Sequence, residues 1–171
     1  MLELYLGGAR SGKSRLAEQR VCASKLQRIY VATATAGDSE MAARIEHHQQ
    51  QREADDWRTV EAPEELSAVI RQYATPQTAI LVDCLTLWLS NWLAKEDDDN
   101  WQQVKGQFLH TLQTAPGHLV LVSNEVGQGI VPLGSLTRRF VDESGRLHQD
   151  IAALADRVVF VTAGLEQVLK N

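Results

Sequence analysis

Gly7-Gly8-Ala9-Arg10-Ser11-Gly12-Lys13-Ser14 lies between an apolar run, Leu2–Leu6, and a helical pattern, Lys13–Ala23. It satisfies G-x-x-x-x-G-K-[ST] at every fixed position, in a strand–loop–helix context. Each fixed residue has a physical task. The glycines let the backbone close around phosphate oxygens with its amide hydrogens turned inward. The helix that follows aims its positive end at the same anion. Lys13 brings a point charge to the β- and γ-phosphates, and the Ser14 hydroxyl suits a Mg²⁺ ligand. All eight residues, Gly7 to Ser14, are therefore expected to hold a nucleotide's phosphates, with Lys13 acting in catalysis. The loop alone selects neither the nucleotide nor the reaction.

Working outward, four more runs resemble Leu2–Leu6. They are Arg28–Ala32, Ala79–Asp83, His118–Ser123 and Arg157–Thr162. Each is near-continuously apolar, the mark of a strand buried on both faces. Helical patterns lie between them. One is capped by Asp38 and runs to about residue 53, and another runs from Pro63 to Tyr73. Leu85–Ala94 and Trp101–Gln113 flank the acidic run Glu96-Asp97-Asp98-Asp99, read as a solvated loop. A last pattern covers Leu136–Ala155, with a possible break at Ser144-Gly145. The alternation predicts an α/β fold, a P-loop NTPase (RecA-like) three-layer sandwich whose mostly parallel central sheet is flanked by helices.

The bulk properties narrow the class. A length of 171 residues suits one domain spanning 1–171, and 44% hydrophobic residues fill its core. A net charge of −5 with interspersed signs argues against a general nucleic-acid binder. Cys22 and Cys84 make no CxxC pair and read as reduced core thiols of a cytoplasmic protein. A strand beginning at residue 2 leaves no room for a signal peptide, and no apolar run approaches the ~20 residues of a membrane span.

Parallel sheets bind ligands beyond their C-terminal strand ends. That rule nominates Thr33, Ala34 and Thr35 after the second strand and Asp83 after the third. It adds Asn124 and Glu125 after the fourth, and Thr162 to Gly164 after the fifth. Asp83 follows Ile80-Leu81-Val82, where a carboxylate can hold Mg²⁺ directly or through water. A second informative stretch is Glu40-Met41-Ala42-Ala43-Arg44-Ile45-Glu46-His47-His48-Gln49-Gln50-Gln51-Arg52. On a helix Arg44, His48 and Arg52 share one face, where like charges repel unless an anion joins them. Flanking arginines disfavour the imidazolium, and a neutral imidazole is what a nucleophile requires. His48 can thus attack a phosphate while Arg44 and Arg52 stabilise the developing charge. His47 points about 100° away around the helix.

With these stretches in view, the chain resembles the bifunctional adenosylcobinamide kinase/adenosylcobinamide-phosphate guanylyltransferase family of cobalamin (vitamin B12) biosynthesis. The resemblance rests on residues 7–14, Tyr-Val-Ala-Thr-Ala at 30–34, residues 40–48 with Arg52, and Trp57-Arg58-Thr59 with Glu61. It continues through Ser-Asn-Glu-Val-Gly at 123–127, Gly129-Ile130-Val131-Pro132, Arg139-Phe140, Asp142, Gly145-Arg146 and Gln149. It implies phosphorylation of the corrinoid's aminopropanol hydroxyl by ATP or GTP. GMP is then transferred from GTP to that phosphate, with release of pyrophosphate. The family's guanylylated histidine is the second of the pair, His48 here.

The resemblance also implies nucleotide contacts at Ala32, Thr33, Ala34, Arg44, Gln49, Gln50, Gln51 and Arg52. Glu61 matches an acidic residue that contacts guanosine, and its carboxylate suits guanine N1 and N2. Asp83 stands where one member of the family carries Glu, a longer carboxylate. Asn124 and Glu125 are expected to face the γ-phosphate or the corrinoid hydroxyl. The implied cofactors are GTP, ATP and Mg²⁺. The partners are small-molecule substrates, with no nucleic acid, no integral membrane segment, and a homo-oligomer, by analogy a trimer. A plain P-loop small-molecule kinase, with His48 idle, is the alternative. A GTP-binding switch has little support, since no Asn/Thr-Lys-x-Asp motif is evident.

Overall fold

The computed structural model describes residues 1–34, 56–95 and 97–171. One seven-stranded sheet organises them. In chain order the elements are β1 (Leu2–Gly7), α1 (Lys13–Ala23), β2 (Gln27–Ala32), β3 (Trp57–Glu61), α2 (Leu66–Tyr73) and β4 (Thr78–Asp83). They continue with α3 (Leu85–Leu93), α4 (Asp98–Thr114), β5 (His118–Asn124), α5 (Ser135–Leu154), β6 (Arg157–Thr162) and β7 (Leu165–Lys170). The strand order is β3-β2-β4-β5-β1-β6-β7. Every pairing is parallel except β6 with β7, which is antiparallel.

The inner strands follow from their side chains. On β1, Leu2, Leu4 and Leu6 pack with Ile29, Val31, Ile80, Val82, Leu119 and Leu121 on one face of the sheet. Tyr5, Tyr30, Ala79, Leu81, Val120 and Val122 pack on the other, against Ala17 and Val21 of α1. Both faces are apolar and both are covered, hence the near-continuous runs. The first face is filled from above by α2 to α5, around Trp88. Its ring lies 4.7 Å from that of Phe108 and 5.4 Å from that of Trp101, centroid to centroid. The result is the three-layer α/β sandwich expected from the alternation of strands and helices.

Two strands lie beyond the five read from the sequence, and among the described residues both are edges of the sheet. β3 reads Trp-Arg-Thr-Val-Glu and is only partly buried, and β7 reads Leu-Glu-Gln-Val-Leu-Lys and is exposed throughout. A rule that seeks strands buried on both faces passes over partly or wholly solvated ones. The acidic run is also corrected. Asp97 caps α4, its side chain accepting a hydrogen bond from the Asn100 amide at 3.0 Å, and Asp98 and Asp99 form the first turn. Carboxylates there complement the positive end of the helix. At Ser144-Gly145 α5 continues unbroken.

Candidate functional site

The register of the sheet brings the nominated residues to one edge. Ala32 stands opposite Asp83 on one side and Glu61 on the other. Gly7 stands opposite Asn124 and Val161. Glu61, Ala32, Asp83, Asn124 and the phosphate loop therefore share the C-terminal edge of the strands. No local pattern in the chain forces that; strand order does.

The loop has the features its sequence calls for. Gly12 takes φ +94°, in the left-handed region that favours glycine, and precedes the first residue of α1. Arg10 also has a positive φ, 56°. The Ser11 amide donates to the Gly8 carbonyl at 3.2 Å, and Lys13 Nζ donates to the same oxygen at 3.1 Å. Lys13 is buried beneath the exposed residues Gly8, Ala9 and Arg10, and Ser14 is half-buried. The turn joining β6 to β7 braces the loop from outside: the Gly164 amide donates to the Ser11 carbonyl at 2.8 Å.

Asp83 is half-buried at the end of β4, and Tyr30 Oη donates to its Oδ2 at 3.1 Å. Thr33 is engaged within the protein. Its hydroxyl donates to the Cys84 carbonyl at 2.7 Å and accepts from the Cys84 amide at 2.8 Å. Its carbonyl accepts from Asn91 Nδ2 at 3.1 Å, and the same amide group reaches Pro63 O at 2.9 Å. Thr33 thus ties β2 to β4, and Asn91 of α3 pins the segments that leave β2 and β3. Ala34 is half-buried and Glu61 exposed, both beside that tie. Ser14 and Asp83 offer oxygen donors suited to Mg²⁺, which keeps several waters and takes only one or two protein ligands.

At the end of β5 the Glu125 amide donates to the Gly7 carbonyl at 3.0 Å, which ties this corner to the phosphate loop. Asn124 Nδ2 donates to Thr86 Oγ1 at 3.3 Å. Behind Glu125 lies His148 of α5, with Nε2 2.7 Å from Ser123 Oγ and Nδ1 3.8 Å from Glu125 Oε2. Burial holds the His148 imidazole below its ordinary pKa, against the opposing pull of the Glu125 carboxylate.

Sequence reading gives no role to Tyr30, Asn91, Ser123 or His148, although Tyr30 and Ser123 stand in stretches that carry the resemblance. For Tyr30 a signal existed, since it lies on the same strand two residues before Ala32. Asn91 and His148 sit on helices far along the chain, and only tertiary packing brings them here. Arg44, His48, Gln49, Gln50, Gln51 and Arg52 lie outside the described residues, as does Thr35. Among the described residues no helix is long and apolar enough to cross a membrane, and both cysteines are free.

Comparisons with known proteins bear on what such an edge does. A family model described as cobinamide kinase / cobinamide phosphate guanyltransferase, CobU, matches residues 3–169. The bifunctional adenosylcobalamin biosynthesis protein CobP of Pseudomonas aeruginosa is 51% identical over 171 residues, covering 100% of this chain and 98% of that protein. The bifunctional adenosylcobalamin biosynthesis protein CobU of Escherichia coli is 40% identical over 183 residues, covering 99% and 100%. Among solved structures, the RadB recombinase superposes with a TM-score of 0.56 at 15% identity, covering 93% of this chain and 73% of that one. At that identity the likeness speaks for the RecA-like P-loop fold alone.

Proposed function

Because the chain belongs to the cobinamide kinase / cobinamide phosphate guanyltransferase family, we propose that it performs both reactions from one nucleotide edge. The first is phosphorylation of the corrinoid's aminopropanol hydroxyl by ATP or GTP. The second is transfer of GMP from GTP onto the new phosphate, with release of pyrophosphate. One unit spanning residues 1–171 carries both. The observation that carries the reading is the register that sets Gly7–Ser14, Ala32, Asp83 and Glu61 along one strand edge, in a chain 51% identical to a bifunctional relative.

In this reading the loop amides and Lys13 hold the phosphate tail and offset the charge that develops on it. Ala32, Thr33 and Ala34 bound the nucleotide, and Glu61 accepts from guanine N1 and N2. Ser14 and Asp83 would hold Mg²⁺, which neutralises phosphate charge when bound. By their spacing in the sequence Arg44 and Arg52 would flank His48, which would take GMP from the α-phosphate, and Gln49, Gln50 and Gln51 would extend the nucleotide contacts. The protein works in the cytoplasm as a homo-oligomer, a trimer by family analogy. The exposed side chains of Ile130, Val131 and Leu133 supply apolar surface for such contacts.

Incubation with GTP labelled at the α-phosphate tests the transferase half. The expected result is a protein-bound label that is acid-labile and alkali-stable, as a phosphoramidate is, and that is absent from His48→Ala. A folded, GTP-binding wild type that takes up no label, yet yields a phosphorylated corrinoid without pyrophosphate, would leave only a small-molecule kinase.

A further inference from the structure

Ser123, His148 and Glu125 form a chain of polar groups between the core and the nucleotide edge. Their order is that of a hydrolase's nucleophile, imidazole and carboxylate. The burial is reversed. Ser123 is wholly buried, His148 is 6% exposed, and the Glu125 side chain, at 22%, is the end that meets solvent. No substrate reaches Ser123, so the working end of this chain is the carboxylate.

The geometry around that carboxylate is specific. Its Oε1 accepts the Gly127 amide at 2.6 Å, which fixes the side chain against its own loop. Its Oε2 faces His148 Nδ1, which is buried and has no hydrogen-bond partner among the described residues. A proton on Nδ1 resolves both ends of the ring: the Ser123 hydroxyl then donates to Nε2, and Nδ1–H points at the carboxylate. A neutral ring orients Glu125 without forming a full ion pair with it. The loop after Glu125 lines a cleft of about 150 Å³ with Val126, Gly129 and Ile130, and Val141 of α5 faces the same cleft. Arg138 and Asp142 of α5 are the charged groups on that cleft. The Gly7 carbonyl, at the start of the phosphate loop, holds the Glu125 amide at 3.0 Å.

We propose that Glu125 is the base that receives the acceptor hydroxyl's proton during phosphoryl transfer, and that His148, held by Ser123, is its positioning residue. This rests on the kinase half of the function proposed above. As the hydroxyl oxygen bonds to the γ-phosphorus, the bond from that phosphorus to the bridging oxygen breaks, and the nucleoside diphosphate leaves with the electron pair. The hydroxyl proton passes to Glu125 and from there to solvent. Asp83, already hydrogen-bonded to Tyr30 at 3.1 Å, is left to the metal side of the site.

The experiment measures phosphorylation of cobinamide by ATP, with nucleotide affinity and GMP uptake from GTP as separate readouts. Glu125→Gln keeps an acceptor for the Gly127 amide and loses the base. It should lower the kinase kcat by about 10²- to 10⁴-fold while affinity and GMP uptake stay near wild type. His148→Ala should move the acidic limb of the kinase pH profile upward, since an N–H donor that favours the ionised carboxylate is gone. His148→Asn, which can present an N–H near the Nδ1 position, should bring the limb back. Phosphorylation by Glu125→Gln at the wild-type rate would overturn the assignment, as would equal loss of all three readouts. A His148→Ala variant with lower kcat and an unmoved limb would reduce His148 to packing. Absence of product from folded wild type would remove the kinase reading and this inference with it. Product from wild type and from Glu125→Gln alike would remove the inference alone.

Discussion

At the scale of single residues, the phosphate loop depends on how closely backbones approach each other. A Cβ on Gly7 would lie 2.5 Å from the Val161 carbonyl and 2.7 Å from Ser11 Oγ. The carbonyl belongs to a paired strand and cannot move aside. Gly12 carries a positive φ, and its added Cβ would meet Gly164 Cα at 3.2 Å. Gly8, by contrast, has nothing within 4 Å of an added Cβ. Gly7→Ala should therefore cost about 1–3 kcal/mol by overpacking and weaken ATP binding. Gly8→Ala should leave stability within about 0.5 kcal/mol of wild type. Chemical denaturation and calorimetric titration check both. Equal stabilities for the two variants would show that β1 and β6 can part at Gly7 at little cost.

At the scale of elements, helix ends and sheet edges carry information that apolar patterning does not. The acidic run looks like a solvated loop because it holds no apolar residue. Its first described member is nevertheless a cap, and its last two open a helix of 17 residues. Asp97→Ala should destabilise the protein by about 1 kcal/mol, read as a lower urea midpoint with an unchanged slope. No loss would mean that the Asn100 amide finds water as readily as the carboxylate. The long helix α5 was legible because Glu143, Ser144, Leu147, His148 and Ile151 recur on one face. Three of those five are polar, so the stripe announced a helix without announcing that one of its residues reaches the site. The edge strands β3 and β7 were illegible for a different reason. β3 is partly solvated and β7 is exposed along its whole length, so neither shows the buried apolar run that marks an inner strand.

At the scale of the whole molecule, the two ends of the sheet do different work. The C-terminal end collects the phosphate loop, Ala32, Glu61, Asp83, Asn124 and Glu125. Near the N-terminal end a buried carboxylate, Glu3, joins four elements. It accepts from Arg20 Nε at 2.9 Å, pairs with His118 Nε2 at 3.0 Å, and lies 3.9 Å from Arg157 Nε. Burial by itself would raise the Glu3 carboxyl. The hydrogen bonds from His118 and Arg20 outweigh burial and hold it below its ordinary value. A carboxyl lowered in the fold contributes stability that is present above its unfolded value, about 4.3, and lost as pH falls through the folded value. Glu3→Gln should thus be less stable than wild type at neutral pH, by about 1–3 kcal/mol. The gap should close as the solution is acidified below about pH 4.3. Urea unfolding across that range measures it, and a gap independent of pH would show that the loss is steric. Nucleotide affinity should not change, since the cluster lies at the other end of the sheet.

By itself the amino-acid sequence determined the phosphate loop, the inner strands, the α/β class and the resemblance to a corrinoid-processing family. These depend on local rules: glycines where a backbone must wrap an anion, and apolar runs where both faces of a strand are covered. Tertiary structure alone decided which residues stand together. Strand order set Ala32 between Asp83 and Glu61 and laid Gly7 beside Asn124, although 117 positions separate the last two. The same packing delivered Tyr30 to Asp83, Asn91 to the ends of two strands, and His148 to Glu125. Such meetings are made by the sheet's connections and the helices that cover it, and no spacing along the chain encodes them.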